Sequence, residues 1–474
     1  MYSKKLFRML ALVLVAVLVF AACGPGGGGT PAAPAPAAPA AEAAAPAAEA
    51  DDPADEDGGG GLMDVLDEDD VVDVFEGDGD ITLRVTWLGT GGRDRVREGL
   101  QPFIEETGIG VDVIYVTGNW AEYFTKIQLM IAAGEVIDLV NVAIEGFEML
   151  VHLGIAVPID DWISRNQEAW HAVTDDISPA VMDIARFNGM QYGIPKEWNN
   201  VVTHINMAML EEAGLDIPPP DWDRATFLQY AQAMTRTRED GTRQFGVAVP
   251  NYYFGFQGWL FNNDTTYMSE DFTESNLLDP RVAEMLQFMY DLIYVYEVAP
   301  IPEPGMATTH LFMQGDIGMH FAGRWPTFQY YYNDFFDVSI QYVPRFAGPH
   351  VNHMTWGGTA VFTTRASQHP DEATKLGLFL ASQPFIDVFM TAGAIPVLNS
   401  VAERLVPALG VPHNNELFIT SADIARPVQS PPQFAEVHSM MDRVFSDILV
   451  SRRDVATVLA EADAELNMIL FDNR

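Results

Sequence analysis

The chain has 474 residues, with 26 Lys and Arg against 66 Asp and Glu, and a formal net charge of −40. Such a length predicts about two to three domains, and with 48% hydrophobic and 11% aromatic residues most of it can bury a core. The charge repels phosphate and so excludes a nucleic-acid binder, while a single cysteine excludes a disulfide scaffold and a cysteine-type structural zinc site.

Residues 1–22 read as an export signal. Lys4, Lys5 and Arg8 precede an apolar run, Met9 to Ala22, that is shorter than the roughly 20 residues a bilayer span needs. Small residues then lead to the only cysteine, in Phe20-Ala21-Ala22-Cys23-Gly24. This resembles a bacterial lipobox, with Phe20 where Leu is usual, and it implies that Cys23 carries lipid and anchors an exported protein to the outer face of the cell membrane. Residues 23–80 read as a disordered Pro/Ala/Gly and acidic tether, although Val71, Val72, Val74 and Phe75 in its acidic stretch are compatible with some local order. Residues 24–80 hold 16 acidic side chains and no Lys or Arg, so they bury too little apolar surface to offset the entropy of ordering. Neither Asp67-Glu68-Asp69-Asp70 nor Asp78-Gly79-Asp80 has the ligand spacing of a calcium loop.

From Ile81 the pattern becomes that of a folded chain. Ile81 to Trp87 alternates and is rich in β formers, so it predicts a strand, ended by Gly89, Gly91 and Gly92. Arg93 to Thr107 predicts a helix with Val96, Leu100, Phe103 and Ile104 on one face. Val111 to Val116 is a second strand. Asn119 is read as the cap of the next helix rather than a ligand contact, and Gly134 stops that helix. Ile137 to Val142 is read as the apolar run of a strand buried on both faces, although Asp138 and Asn141 interrupt it. This alternation predicts an α/β fold with a parallel sheet. Ligands bind beyond the carboxyl ends of such strands, here at Trp87 to Thr90, Thr117 to Asn119 and Ala143 to Gly146. No dinucleotide or P-loop glycine motif is present, so no cofactor is expected.

The middle of the chain is more specific. Tyr192-Gly193-Ile194-Pro195 is followed by Val201 to Asn206, then Glu212-Ala213-Gly214-Leu215-Asp216 and Pro218-Pro219-Pro220-Asp221-Trp222-Asp223. Phe312 to Met319, Gly323-Arg324-Trp325, Gly357-Gly358 with Ala366 to Ala381, and Gly393 to Pro396 follow in order. Together these resemble family 1 extracellular solute-binding proteins, the ABC-importer receptors related to maltose-binding protein. His204-Ile205-Asn206 departs from the usual aromatic-Asn pair, which removes any stacking by that ring, and Gly318 stands where Ala is usual. The resemblance implies a two-lobed periplasmic-binding-protein fold, type II-like, with the ligand cleft between lobes. Lobe 1 is expected at 81–198 plus 357–412 and lobe 2 at 199–356 plus 425–474. It further implies a monomer that closes by a hinge around a small solute, a sugar above all, and passes it to separate ABC permease subunits.

Sugars present apolar C–H faces and many hydroxyls, so aromatic rings and carboxylates are the side chains to seek. Among nine tryptophans, Trp87, Trp198, Trp259, Trp325 and Trp356 are expected at the ligand, with Gly357 and Gly358 permitting close backbone approach. Trp120, Trp162, Trp170 and Trp222 are expected in the core. Glu145 and Glu197 are the polar candidates. Arg324 is a further ligand candidate, although pairing with a structural acid is commoner for such a residue.

Other classes are weaker. His350 and His353 are closely spaced but lack further ligands, so no metal is expected. A secreted glycoside-acting enzyme would need two carboxylates across a sugar site, a pattern that 66 acids produce by chance. No Gly-x-Ser-x-Gly elbow is present, and Cys23 is no catalytic thiol, so the chain is read as no enzyme. A polyamine, polyol or peptide on the same receptor fold is the main alternative to a sugar.

Overall fold

The computed structural model describes Leu66 and residues 69–303, 306–347, 354–389 and 393–473. The signal-like segment, Cys23, His350 and His353 lie outside the described residues. Four early strands, β1 (Val71–Phe75), β2 (Thr82–Leu88), β3 (Gly110–Val116) and β4 (Leu139–Ala143), alternate with helices α1 (Arg93–Thr107) and α2 (Trp120–Ala132).

β2 pairs in parallel with both β3 and β4, which is the predicted βαβαβ unit. α1 begins after Gly92 (φ 88°) and ends at Gly108 (φ 69°), two left-handed positions that glycine adopts without strain. Its buried face is the predicted one, Val96, Leu100, Phe103 and Ile104. α2 starts with a capping box: the Asn119 side chain accepts from Glu122 N, and Glu122 accepts from Asn119 N. All five residues of β4 are buried, as its apolar run requires.

The tether expectation needs a correction at its end. Residues 71–75 form β1, which pairs antiparallel with β3 as an edge strand. Two of the acids here are answered rather than solvated. Asp73 is buried and accepts from Arg93 Nε at 3.1 Å, and Asp70 accepts from Thr117 N and Lys126 Nζ, both at 2.7 Å. Val71, Val72 and Phe75 pack on the core. Local charge hides this strand because its partners, Arg93 and Lys126, lie tens of residues away.

The large sheet continues through long antiparallel strands. β4 pairs with Met354–Thr363, which pairs with Gly193–Asn200, which in turn pairs with Ile395–Pro396. A separate three-stranded sheet runs Met319–Ala322, Val202–Asn206, Val338–Gln341. The chain therefore crosses between sheets at residue 201 and again between Gln341 and Met354. In the small sheet His204 lies opposite His320, their rings 4.9 Å apart. His204 fills its family-unusual position as a core residue: its Nε2 bonds Gly323 O at 2.9 Å, and burial pushes its pKa down to about 4.

All the described residues belong to one compact unit. Among them, no helix is long and apolar enough to cross a membrane.

Candidate functional site

A cavity of about 560 Å³ opens where the sheets face each other. Trp87 and Leu88 at the end of β2, and Asn141 and Ala143 of β4, lie on it, at the carboxyl side expected for this sheet. The large sheet adds Glu145, Lys196, Glu197, Asn199 and Gly357 to Thr359. The opposite side contributes Tyr252, Tyr253, Phe254, Trp325, Phe328 and Gln329, and Trp120, Phe389 and Phe434 complete the aromatic lining.

A β-bulge shapes the large-sheet wall. Along the pair of long strands, Thr359 faces Glu197 but Ala360 faces Pro195, so Lys196 is an extra residue. Regular alternation would send Lys196 and Glu197 to opposite faces. The bulge lets both reach the cavity, where Lys196 Nζ lies 3.0 Å from Glu197 Oε2. The ammonium also sits 4.5 Å from the Trp87 ring centroid and 4.7 Å from that of Phe389. Burial lowers the Lys196 pKa, and Glu197 opposes that shift.

Glu145 has no cationic side chain at ion-pair distance among the described residues, and burial pushes its pKa up to about 7, with a smaller opposing pull from His438. Its Oε2, Asn141 Oδ1 and Thr359 Oγ1 are buried and have no hydrogen-bond partner among the described residues. All three line the same cavity. The glycines next to Thr359 are needed for contact. A Cβ at Gly358 would lie 2.4 Å from Glu197 O, and one at Gly357 would lie 3.0 Å from the Phe254 ring.

Of the residues nominated from sequence, Trp87, Glu145, Glu197, Trp325, Gly357 and Gly358 come together on this cavity. Trp198, Trp259, Arg324 and Trp356 do not line it. Trp198 is the strand neighbour of Glu197 and takes the opposite face, where it is buried. Trp356 is half-buried against the core. Trp259 is a core residue with no exposure, packed among Phe227, Phe288, Phe321 and Phe346. Arg324 is also wholly buried, but its Nη1 donates to Gly393 O (2.9 Å) and Ala394 O (2.8 Å) rather than to an acid. Burial lowers its pKa to about 10, so it stays cationic near neutrality. Arg324 is therefore a brace between the two sides, since Gly393 and Ala394 adjoin the large-sheet strand Ile395–Pro396.

Trp162, Trp170 and Trp222 are core residues as expected, but Trp120 faces the cavity. Its place at the first turn of α2, directly after a strand-end loop, was the available signal. Asn141 carried one too, as the polar residue inside an apolar strand. Lys196 carried none, because a bulge is not visible in strand alternation. Among the described residues, no three or more His, Cys, Asp or Glu side chains gather closely enough to hold a metal ion.

Two sheets joined by crossing strands, with an aromatic-walled and solute-sized cavity between them, define a two-lobed binding protein. The chain belongs to the bacterial extracellular solute-binding protein family, which it matches over residues 100–412. An ABC substrate-binding protein of Listeria monocytogenes in complex with cycloalternan superposes with a TM-score of 0.72 at 19% identity, covering 82% of this chain and 99% of that one. UgpB of Mycobacterium tuberculosis in complex with glycerophosphocholine gives 0.71 at 16% identity, covering 83% and 99%. In sequence, the arabinooligosaccharide-binding protein of Halalkalibacterium halodurans is 27% identical over 227 residues, covering 42% of this chain and 47% of that protein.

Proposed function

We propose that this protein is a lipid-anchored receptor that captures a carbohydrate in the cleft, closes by a hinge and delivers the sugar to an ABC permease without turning it over. The observation that carries this reading is the cavity floor. Asn141 Oδ1, Glu145 Oε2 and Thr359 Oγ1 are three unpartnered polar atoms on neighbouring parts of the large sheet, beneath aromatic walls. An unpartnered buried polar atom costs about 1–3 kcal/mol until something bonds it. A ring bearing several hydroxyls supplies donors to the floor and apolar C–H faces to Trp87, Trp120 and Trp325. The relatives that bind cycloalternan and arabinooligosaccharide agree with this class.

A polyamine is disfavoured. It needs several ionised acids, whereas Glu197 is already paired with Lys196 and burial drives Glu145 toward its neutral form. The lobes are taken as 81–198 plus 357–412 and 199–356 plus 425–474, except that β1 and the strand Ala425–Pro427, which both join the large sheet, are assigned to the first, so the second resumes after Pro427. Anchoring rests on Cys23 and the basic-apolar segment before it. The monomer and the permease partnership rest on the family.

Thermal unfolding against mono- and oligosaccharides, polyols, polyamines, glycerophosphocholine and divalent metals tests the reading. A ligand at about 100 times its dissociation constant stabilises by about 2.7 kcal/mol. A shift with a sugar that is recovered unchanged is the expected result. A shift only with a polyamine or glycerophosphocholine would overturn the sugar, and consumption of the sugar would overturn the receptor.

A further inference from the structure

Arg95 does something the binding reading does not require. It projects from α1, which packs on the large sheet, and lies on the cavity. Its partners stand on the other side of the cleft, on the helix Thr327–Tyr332 that follows the small-sheet strand Met319–Ala322. The guanidinium carbon is 4.7 Å from the Phe328 ring centroid and 5.0 Å from that of Tyr332, and Nη2 donates to the Tyr332 hydroxyl. Among the described residues Arg95 forms no ion pair with a carboxylate, so these cross-cleft rings are its principal partners. Phe328 lines the cavity, whereas Tyr332 does not and is 54% exposed. The contact therefore sits at the mouth, with one ring inside and one outside.

A planar guanidinium suits this role. It stacks on aromatic faces, keeps its charge, and sheds water more readily than an ammonium. Arg324 also joins the two sides, but it is fully buried and bonded to backbone carbonyls. It can act as a fixed brace, while the half-exposed Arg95 contact can form and break. We propose that Arg95 is a latch, whose stacking on Phe328 and Tyr332 holds the two walls together at the mouth of the cleft and slows escape of the bound solute. This rests on the hinge-closing receptor reading above.

The test separates the latch from that reading by measuring closure without any sugar. Spin labels are placed on Gln101→Cys and Gln232→Cys, both exposed and on opposite walls, in a Cys23→Ser background of the full chain. The distance distribution is then compared for Arg95, Arg95→Ala, Tyr332→Ala and the double variant, each checked for folding by its thermal melt. Each single variant should raise the open-to-closed ratio about 3- to 30-fold, the span of a cation–ring contact. The double variant should open no further than the stronger single one, and Arg95→Lys should fall between. Unchanged distances, or fully additive opening, would overturn the latch. Maltotriose is the kinetic probe. Its release should quicken in Tyr332→Ala as well as in Arg95→Ala, although Tyr332 does not touch the cavity. Faster release in Arg95→Ala alone, with unshifted distances, would make Arg95 a mere solute contact and overturn the proposal. Failure of maltotriose to bind would count against the sugar and leave the distance measurement to decide the latch.

Discussion

The two walls of the cleft are built on different principles. The large-sheet wall supplies most of the polar groups, Asn141, Glu145, Lys196, Glu197 and Thr359, beside the rings of Trp87 and Trp120. They stand on or beside strands whose ladders fix the backbone, so their atoms hold position even where no partner bonds them. The facing wall supplies rings: Tyr252, Phe254, Trp325 and Phe328. These sit on loops and short helices next to the small sheet, and several are partly exposed. A strand-borne wall can carry the cost of orphaned polar atoms because its neighbours cannot relax around them. A loop- and helix-borne wall adapts to the shape of a solute, which suits apolar stacking.

Two tryptophans of the second wall separate its core from its surface. Trp259→Ala removes a ring with no exposure and should cost about 3–5 kcal/mol of stability in denaturant unfolding. Its effect on solute affinity should be small once folding is accounted for. Equal stability of that variant and the parent would contradict its place in the core.

Glu145 probes the first wall. Burial raises its pKa from 4.5 to about 7, so the folded chain holds that proton more tightly than the unfolded chain. The contribution of Glu145 to stability is thus undiminished below pH 4.5 and is lost as pH rises from there through about 7. Glu145→Gln should abolish this decline and gain up to about 3 kcal/mol at pH 8, seen as a flatter profile of melting temperature against pH. An identical profile in parent and variant would mean that water or a neighbour solvates the carboxylate.

The smallest effect belongs to Trp325, which is 41% exposed. Trp325→Ala should leave the melting temperature nearly unchanged and weaken sugar binding by about 1–2 kcal/mol in titration calorimetry. Loss of stability without loss of affinity would reverse the division between the walls.

Much of this was legible from residue order. The α1 face, the Asn119 cap and the apolar β4 run are local signals, and local chemistry decided them. What escaped depends on distant partners or on register. β1 looked like a solvated acidic spacer because Arg93 and Lys126 answer its acids from afar. Glu197 and Trp198 were both expected at the ligand, but adjacent strand residues face opposite ways. Only the bulge at Lys196 breaks that rule, and it does so one residue earlier.

The distribution of indoles has an optical consequence. Three of the nine tryptophans, Trp87, Trp120 and Trp325, line the cavity, and the other six lie elsewhere. A solute entering the cleft would change the surroundings of those three most directly, by displacing water from Trp325 and by contact near the buried Trp87. Trp87 also lies beside a buried ammonium whose field perturbs its excited state. Intrinsic emission should therefore report occupancy without an added dye, and the three positions would be separable by replacing one indole at a time.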